Sequence, residues 1–103
     1  MNLVSSIHDS EKLLSNALDI TKKMVQNSAP VSISLTRQML WRSLESSGPY
    51  DAHVIESKAI DSRGASEDAK EGVSSFLEKR PAEFKNKVSS DMPEFFPWWK
   101  DTN

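Results

Sequence analysis

Five prolines, at positions 30, 49, 81, 93 and 97, decide what lengths of helix this chain can form. Proline fixes its φ and has no backbone N–H, so it suits the first turn of a helix and halts one that reaches it. Pro30 follows the turn Asn27-Ser28-Ala29, and Pro49 follows Ser46-Ser47-Gly48, so both read as openings of new helices. Pro81 follows the basic pair Lys79-Arg80 and reads as a stop. Pro93 and Pro97 break any helix in the last stretch. The chain is thereby limited to a series of short helices and a non-helical end.

The segment that ends at Pro81 is the best marked. Ser66 can accept a backbone N–H bond as a cap, and Glu67 and Asp68 put negative charge at the positive end of the helix dipole. Ala69, Val73, Phe76, Leu77 and Arg80 follow at spacings of three and four, which predicts a helix over 66–80 with one buried stripe. Near the N-terminus, Leu13, Leu14, Ala17, Leu18, Thr21, Met24 and Val25 repeat at the same period behind a cap at Asp9 or Ser10, predicting a helix over 10–27.

Between them, a helix over 31–46 turns Ile33, Leu35, Thr36, Met39, Leu40 and Leu44 inward and Arg37 and Arg42 outward. Trp41 falls at the margin of that stripe, where an indole covers a neighbouring element or an interface. A third helix over 49–62 has a thinner stripe of Ala52, Ile55 and Ala59, and Gly64 can close it in a left-handed conformation. Residues 1–9 are a lead-in too short to read alone. Residues 82–103 concentrate Met92, Phe95, Phe96, Trp98 and Trp99 in an extended tail that cannot fold on itself and is expected to lie against another surface. The fold class is all-α, four short amphipathic helices over 10–81 and an aromatic tail.

Charge and size narrow the function. Thirteen basic and fifteen acidic residues leave a net charge of −2, which offers no electrostatic case for nucleic acid or an anionic membrane. The chain has no cysteine, hence neither disulfide framework nor thiolate chemistry, in keeping with a reducing cytoplasm. No apolar run approaches the ~20 residues a bilayer span needs. With 103 residues and 37% hydrophobic content, the core is lean for a self-sufficient domain.

No catalytic constellation is legible. His53 and Glu56 stand three apart on a predicted helix, a spacing metals accept, but only His8 could add another imidazole and nothing places it nearby; the pair reads as two polar side chains facing water. There is no Gly-rich phosphate loop and no nucleophile elbow. One group does hint at an anionic ligand. Lys79, Arg80, Lys85 and Lys87 cluster at a helix end beside Phe76 and Phe84, and cations next to aromatic rings suit a phosphorylated nucleotide. The same cations also simply complement the helix dipole, so both readings stand.

Four stretches resemble a known family when taken in order. S-A-P-V-S-I-S-L-T-R-Q-M-L-W-R at 28–42, A-H-V-I-E-S at 52–57, G-A-S-E-D-A-K-E-G-V-S-S-F-L-E-K-R-P at 64–81 and V-S-S-D-M-P-E-F-F-P-W-W at 88–99 resemble the C-terminal portion of crotonase-superfamily proteins, the enoyl-CoA hydratases and isomerases. N-L-V-S-S-I at 2–7 is similar to the G-L-V-x-x-V run that follows that family's catalytic segments.

The resemblance implies a helical C-terminal region without the ββα spiral that carries the oxyanion hole, and without the acid/base carboxylates. It therefore implies no catalytic residue in this chain and no hydratase or isomerase turnover by the chain alone. It also implies a truncated or split product that works in acyl-CoA and fatty acid metabolism in the cytoplasm. Such a segment builds a trimer-like interface through self-association or with crotonase-type subunits, and caps a neighbour's acyl-CoA site. On that footing Lys79 lies near the phosphates and adenine of coenzyme A, Ile60 packs beside the base, and Phe76 adds ring surface. No metal or other cofactor is implied. The alternative is a free-standing helical interaction module with no ligand.

Overall fold

The computed structural model describes residues 3–99 and contains four helices in chain order: α1 (Ser10–Gln26), α2 (Pro30–Ser43), α3 (Pro49–Gly64) and α4 (Glu67–Glu78). The all-α class follows directly, and the proline rule places the boundaries. Pro30 and Pro49 each occupy the first turn of their helix, and α4 ends just before Pro81. Among the described residues no helix is long and apolar enough to cross a membrane.

α2 and α3 form an antiparallel hairpin, so that Ser32 and Leu35 face Ala59 and Arg63 while Arg42 and Ser43 face Asp51 and Ala52. Its centre is the core: Val31 is fully buried, Leu35 is 1% exposed and Ala59 is 5% exposed. The inward set on α2 differs from the expected one. Ile33, Leu40 and Leu44 are exposed, whereas Val31 is buried and Arg42 is half-buried. α2 carries apolar residues on both sides, and only one side can meet α3; the side with Val31, Leu35 and Met39 takes that place. Nor does Gly64 bend α3 left-handed, since no glycine among the described residues has positive φ; α3 closes through Ala65 in the right-handed region.

α4 corrects the expectation more sharply. Val73, Phe76 and Leu77 are exposed and Arg80 lies on the surface, while the buried residues are Asp68 and Ser75, each 4% exposed. The periodicity is real, but the apolar face points away from this chain and the polar face is covered by the segment that follows. Ser66 does cap the helix, accepting the Ala69 N–H at 3.2 Å while donating to the Arg63 carbonyl at 2.6 Å. After Lys79 the chain reverses and runs back along α4. Glu71 Oε1 accepts the Glu83 N–H, and Asp68 Oδ1 accepts the amides of Lys85 and Asn86 at 2.9 and 3.1 Å. Phe84 follows, laid over Gly72.

The aromatic tail lies against a surface, as its composition requires, and that surface belongs to its own chain. Phe95, Phe96, Trp98 and Trp99 pack edge-to-face or tilted with centroids 5.0–6.3 Å apart. Trp98 and Trp99 close a cleft of about 210 Å³ between α2 and α3, against Met39, Ala52 and Ile55. The segment expected to be unable to fold on itself therefore does so, using a turn in which Phe96 N–H donates to the Pro93 carbonyl and a cis Phe96–Pro97 peptide.

α1 is different again. None of its residues is buried, and Leu14, Met24 and Val25 are each more than 60% exposed. The Cα radius of gyration is 17.2 Å, whereas a compact chain of this length has about 13 Å. A lone helix of this length is marginal in water, and within this chain the amphipathic stripe of α1 stays uncovered.

Candidate functional site

The sequence singled out the end of α4, and the structure sorts its four cations. Arg80 is committed to carboxylates. Its Nη1 and Nη2 donate to Glu71 Oε1 and Oε2 at 2.6 and 2.9 Å, and its Nε donates to Glu78 Oε2 at 2.6 Å. The bidentate bond from Arg80, followed by the Glu83 N–H, holds the Glu71 carboxyl down to about 2, while the hydrogen bonds to Glu71 and then Glu78 push the Arg80 guanidinium further up. Lys79, Lys85 and Lys87 make no ion pair among the described residues. Lys85 lines a polar cleft with Glu67, Asp68, Lys70, Glu71 and Glu83. Lys87 gives its backbone N–H to Asp91 at 2.7 Å; with the Ser90 hydroxyl, this draws the Asp91 carboxyl below its usual range.

Lys79 itself occupies the turn. Its backbone is left-handed, φ 55° and ψ 39°; its N–H donates to the Phe76 carbonyl at 3.3 Å and the Arg80 N–H donates to the Ser75 carbonyl at 3.0 Å. That pair of bonds is a Schellman motif, which normally carries glycine at the left-handed position. In the preceding turn Phe76 is 82% exposed and Leu77 72% exposed, a bare ring and a bare aliphatic side chain. Phe84, by contrast, is half-buried against α4.

Ile60 is exposed on α3 and lines the groove of about 320 Å³ between α2 and α3, with Ser32, Leu35, Thr36 and Met39. Phe76 and Lys79 stand on the outer face and end of α4, so the three proposed ligand contacts do not form one pocket within this chain. His53 and Glu56 are exposed, and among the described residues no group of three or more His, Cys, Asp or Glu side chains is arranged to hold a metal. His8 instead bonds Ser6 and Asn16.

Sequence reasoning missed the residues that build this end. Asp68 is expected only to complement the helix dipole and Glu71 carries no expected role, yet both bind the returning chain, and Asp68 is among the most buried side chains. The available signal was their spacing of three, on the same side as Ser75, ahead of a proline that forces the chain to turn.

The described residues thus form an all-α segment with bare apolar faces and a basic helix end. No protein-family model matches the chain. The enoyl-CoA hydratase ACTT3 of Alternaria alternata is 35% identical over 89 residues, covering 86% of this chain and 29% of that protein. The enoyl-CoA hydratase AFT3-1 of the same organism matches to the same extent. The short-chain-enoyl-CoA hydratase of Clostridium acetobutylicum is 33% identical over 88 residues, covering 84% of this chain and 33% of that protein. The chain carries crotonase-superfamily sequence, homologous to enoyl-CoA hydratases, and spans 29–33% of the length of these relatives.

Proposed function

We propose that this chain is the assembly and acyl-CoA-capping segment of an enoyl-CoA hydratase/isomerase-type protein. The observation that carries the reading is the bare apolar surface on a sequence related to hydratases. Phe76, Leu77, Leu44 and Leu14 are each more than 70% exposed, far beyond what a small core needs to leave outside. Such faces are stable when covered by another subunit, a second copy or a crotonase-type chain, and Phe76 and Lys79 then stand at the edge of that contact, where a nucleotide phosphate and base can meet cation and ring. Ile60 reaches the same ligand only across a subunit boundary. The setting is the cytoplasm, and the chemistry is that of acyl thioesters.

Residues 1–103 alone carry no catalytic role in this reading. Hydration of an enoyl thioester needs oxyanion stabilisation, and losing one such donor costs on the order of 10²–10³ in rate. The test is a titration of the isotopically labelled chain with coenzyme A, run beside sedimentation velocity and a crotonyl-CoA hydration assay. Shifts at Phe76 and Lys79, concentration-dependent association and no turnover are expected. Turnover that depends on residues of this chain, or coenzyme A binding that ignores Lys79, overturns the reading.

A second reading has an observation of its own. Ile60 lines a different groove from the face that holds Phe76 and Lys79, which favours a helical interaction module that docks without ligand. Association that proceeds with no response to coenzyme A selects it.

A further inference from the structure

Lys79 is the single non-glycine residue with positive φ among the described residues, and it stands where helices commonly end on glycine. A side chain at that position strains the backbone, and strain of this kind persists only when the surroundings over-determine it. The surroundings here are specific. The guanidinium of the very next residue, Arg80, forks onto both oxygens of Glu71, takes Glu78 with its Nε and reaches the Pro81 carbonyl at 3.2 Å. Glu71 in turn holds the Glu83 amide at 2.8 Å. The residues on either side of Lys79 are thereby tied to the body of α4, and a planar fork fixes direction as well as distance.

The same contacts have an electrostatic consequence. Glu71 and Glu78 are the carboxylates nearest this turn along α4, and unpaired they would draw the Lys79 ammonium to themselves or repel an incoming anion. Arg80 occupies both. We infer that the Glu71–Arg80 pair, with Glu78, is a positioning device that holds Lys79 in its left-handed cap and keeps its ammonium available to an anionic phosphate ligand. The purpose rests on the reading of Lys79 as a coenzyme A contact; the device itself does not.

The full chain, labelled with ¹³C and ¹⁵N, separates the two. Without ligand, the HN–Hα coupling and Cα shift of Lys79 report the left-handed conformation in wild type, Glu71→Gln, Arg80→Lys and the exchanged pair Glu71→Arg/Arg80→Glu. Glu71→Gln is expected to lose that signature while residues before Ser75 stay helical. Arg80→Lys keeps the charge but cannot fork, and falls between. The exchanged pair recovers the signature in part, which a general loss of packing would not allow. Coenzyme A then binds Glu71→Gln roughly tenfold more weakly than wild type, the loss of about one charge-assisted contact. A left-handed Lys79 that survives in both Glu71→Gln and Arg80→Lys overturns the inference. If Glu71→Gln unfolds α4, Arg80→Lys decides. A wild-type chain with an intact cap and no coenzyme A response overturns the ligand reading, and the cap measurement still judges the device.

Discussion

The guanidinium carbon of Arg42 lies 4.3 Å from the centroid of the Trp99 ring, joining the end of α2 to the end of the described chain. Arg42 also reaches Glu45 at 3.3 Å, so its plane is held from both sides. The contact explains how a non-helical tail stays on the hairpin. Truncating Trp99 to alanine removes both the stacked cation and edge contacts to Phe96 and Trp98. The ring is half-buried, so Trp99→Ala is expected to cost about 2 kcal/mol, less than a fully buried aromatic. A double-mutant cycle with Arg42→Ala should return a coupling of roughly 0.5–1 kcal/mol by urea denaturation. A coupling of zero would mean that the tail is held by the aromatic cluster alone.

Asp68 tests the other attachment of the tail. It is 4% exposed, and one of its oxygens accepts both the Lys85 and Asn86 amides. Its second oxygen, Oδ2, is buried without a hydrogen-bond partner. Asp68→Ala leaves two part-buried donors unmet and should destabilise by about 2–3 kcal/mol. Asp68→Asn keeps one carbonyl oxygen for both amides and should cost about 1 kcal/mol, because it gives up only the charge assistance and the helix-dipole contribution. Equal losses for the two variants would show that the negative charge, rather than the acceptor oxygen, holds the returning segment.

These two attachments also mark what could and could not be read from sequence. Helix positions were legible because proline, capping serine and apolar period are local signals: Pro30, Pro49 and Ser66 sit where expected. Which face of each helix is covered was not legible. Val73, Phe76 and Leu77 carry the period of a buried stripe and are bare, because periodicity identifies an apolar face without naming the surface that covers it. The tail was misjudged for a related reason. Its aromatics looked unable to fold back, but Arg42 and the α2–α3 cleft supply a receptive surface many residues away. At the candidate site, Lys79 was singled out by charge and resemblance, while its left-handed backbone and the Glu71–Arg80 tie are properties of the reversal at Pro81 that no local pattern encodes.

Acid should weaken the same tie. Glu71 is held at about 2 by the Arg80 fork and the Glu83 N–H, with Lys85 adding a favourable charge. A carboxyl depressed in the folded state contributes stability above its ordinary range, and that contribution disappears as pH falls through the folded value. Glu67, lowered by Lys70, and Asp91, lowered by the Lys87 N–H and Ser90, lose theirs in the same direction. Thermal melts should therefore fall as pH drops from about 4.5 toward 2. Glu71→Gln should melt below wild type at neutral pH, and the two curves should converge near pH 2. A gap that persists there would assign the loss to packing instead of charge.

Lys79→Gly sets stability against function at a single position. Glycine adopts the left-handed region without a Cβ penalty, so the substitution relieves the cap at φ 55° and its larger unfolded-state entropy offsets only part of that gain. The expected net effect is a stabilisation of about 0.5 kcal/mol, or roughly 2–4 °C in melting temperature for a domain of this size. The same change deletes the Lys79 ammonium without touching the Schellman hydrogen bonds, which are made by backbone groups alone. Lys79→Gly should therefore fold better than wild type and bind coenzyme A less well, while Lys79→Arg keeps the charge and the strain and should retain most of the binding. If Lys79→Gly instead melts earlier, the lysine stem is packing against the helix end, and the case for strain tolerated on behalf of a ligand is lost.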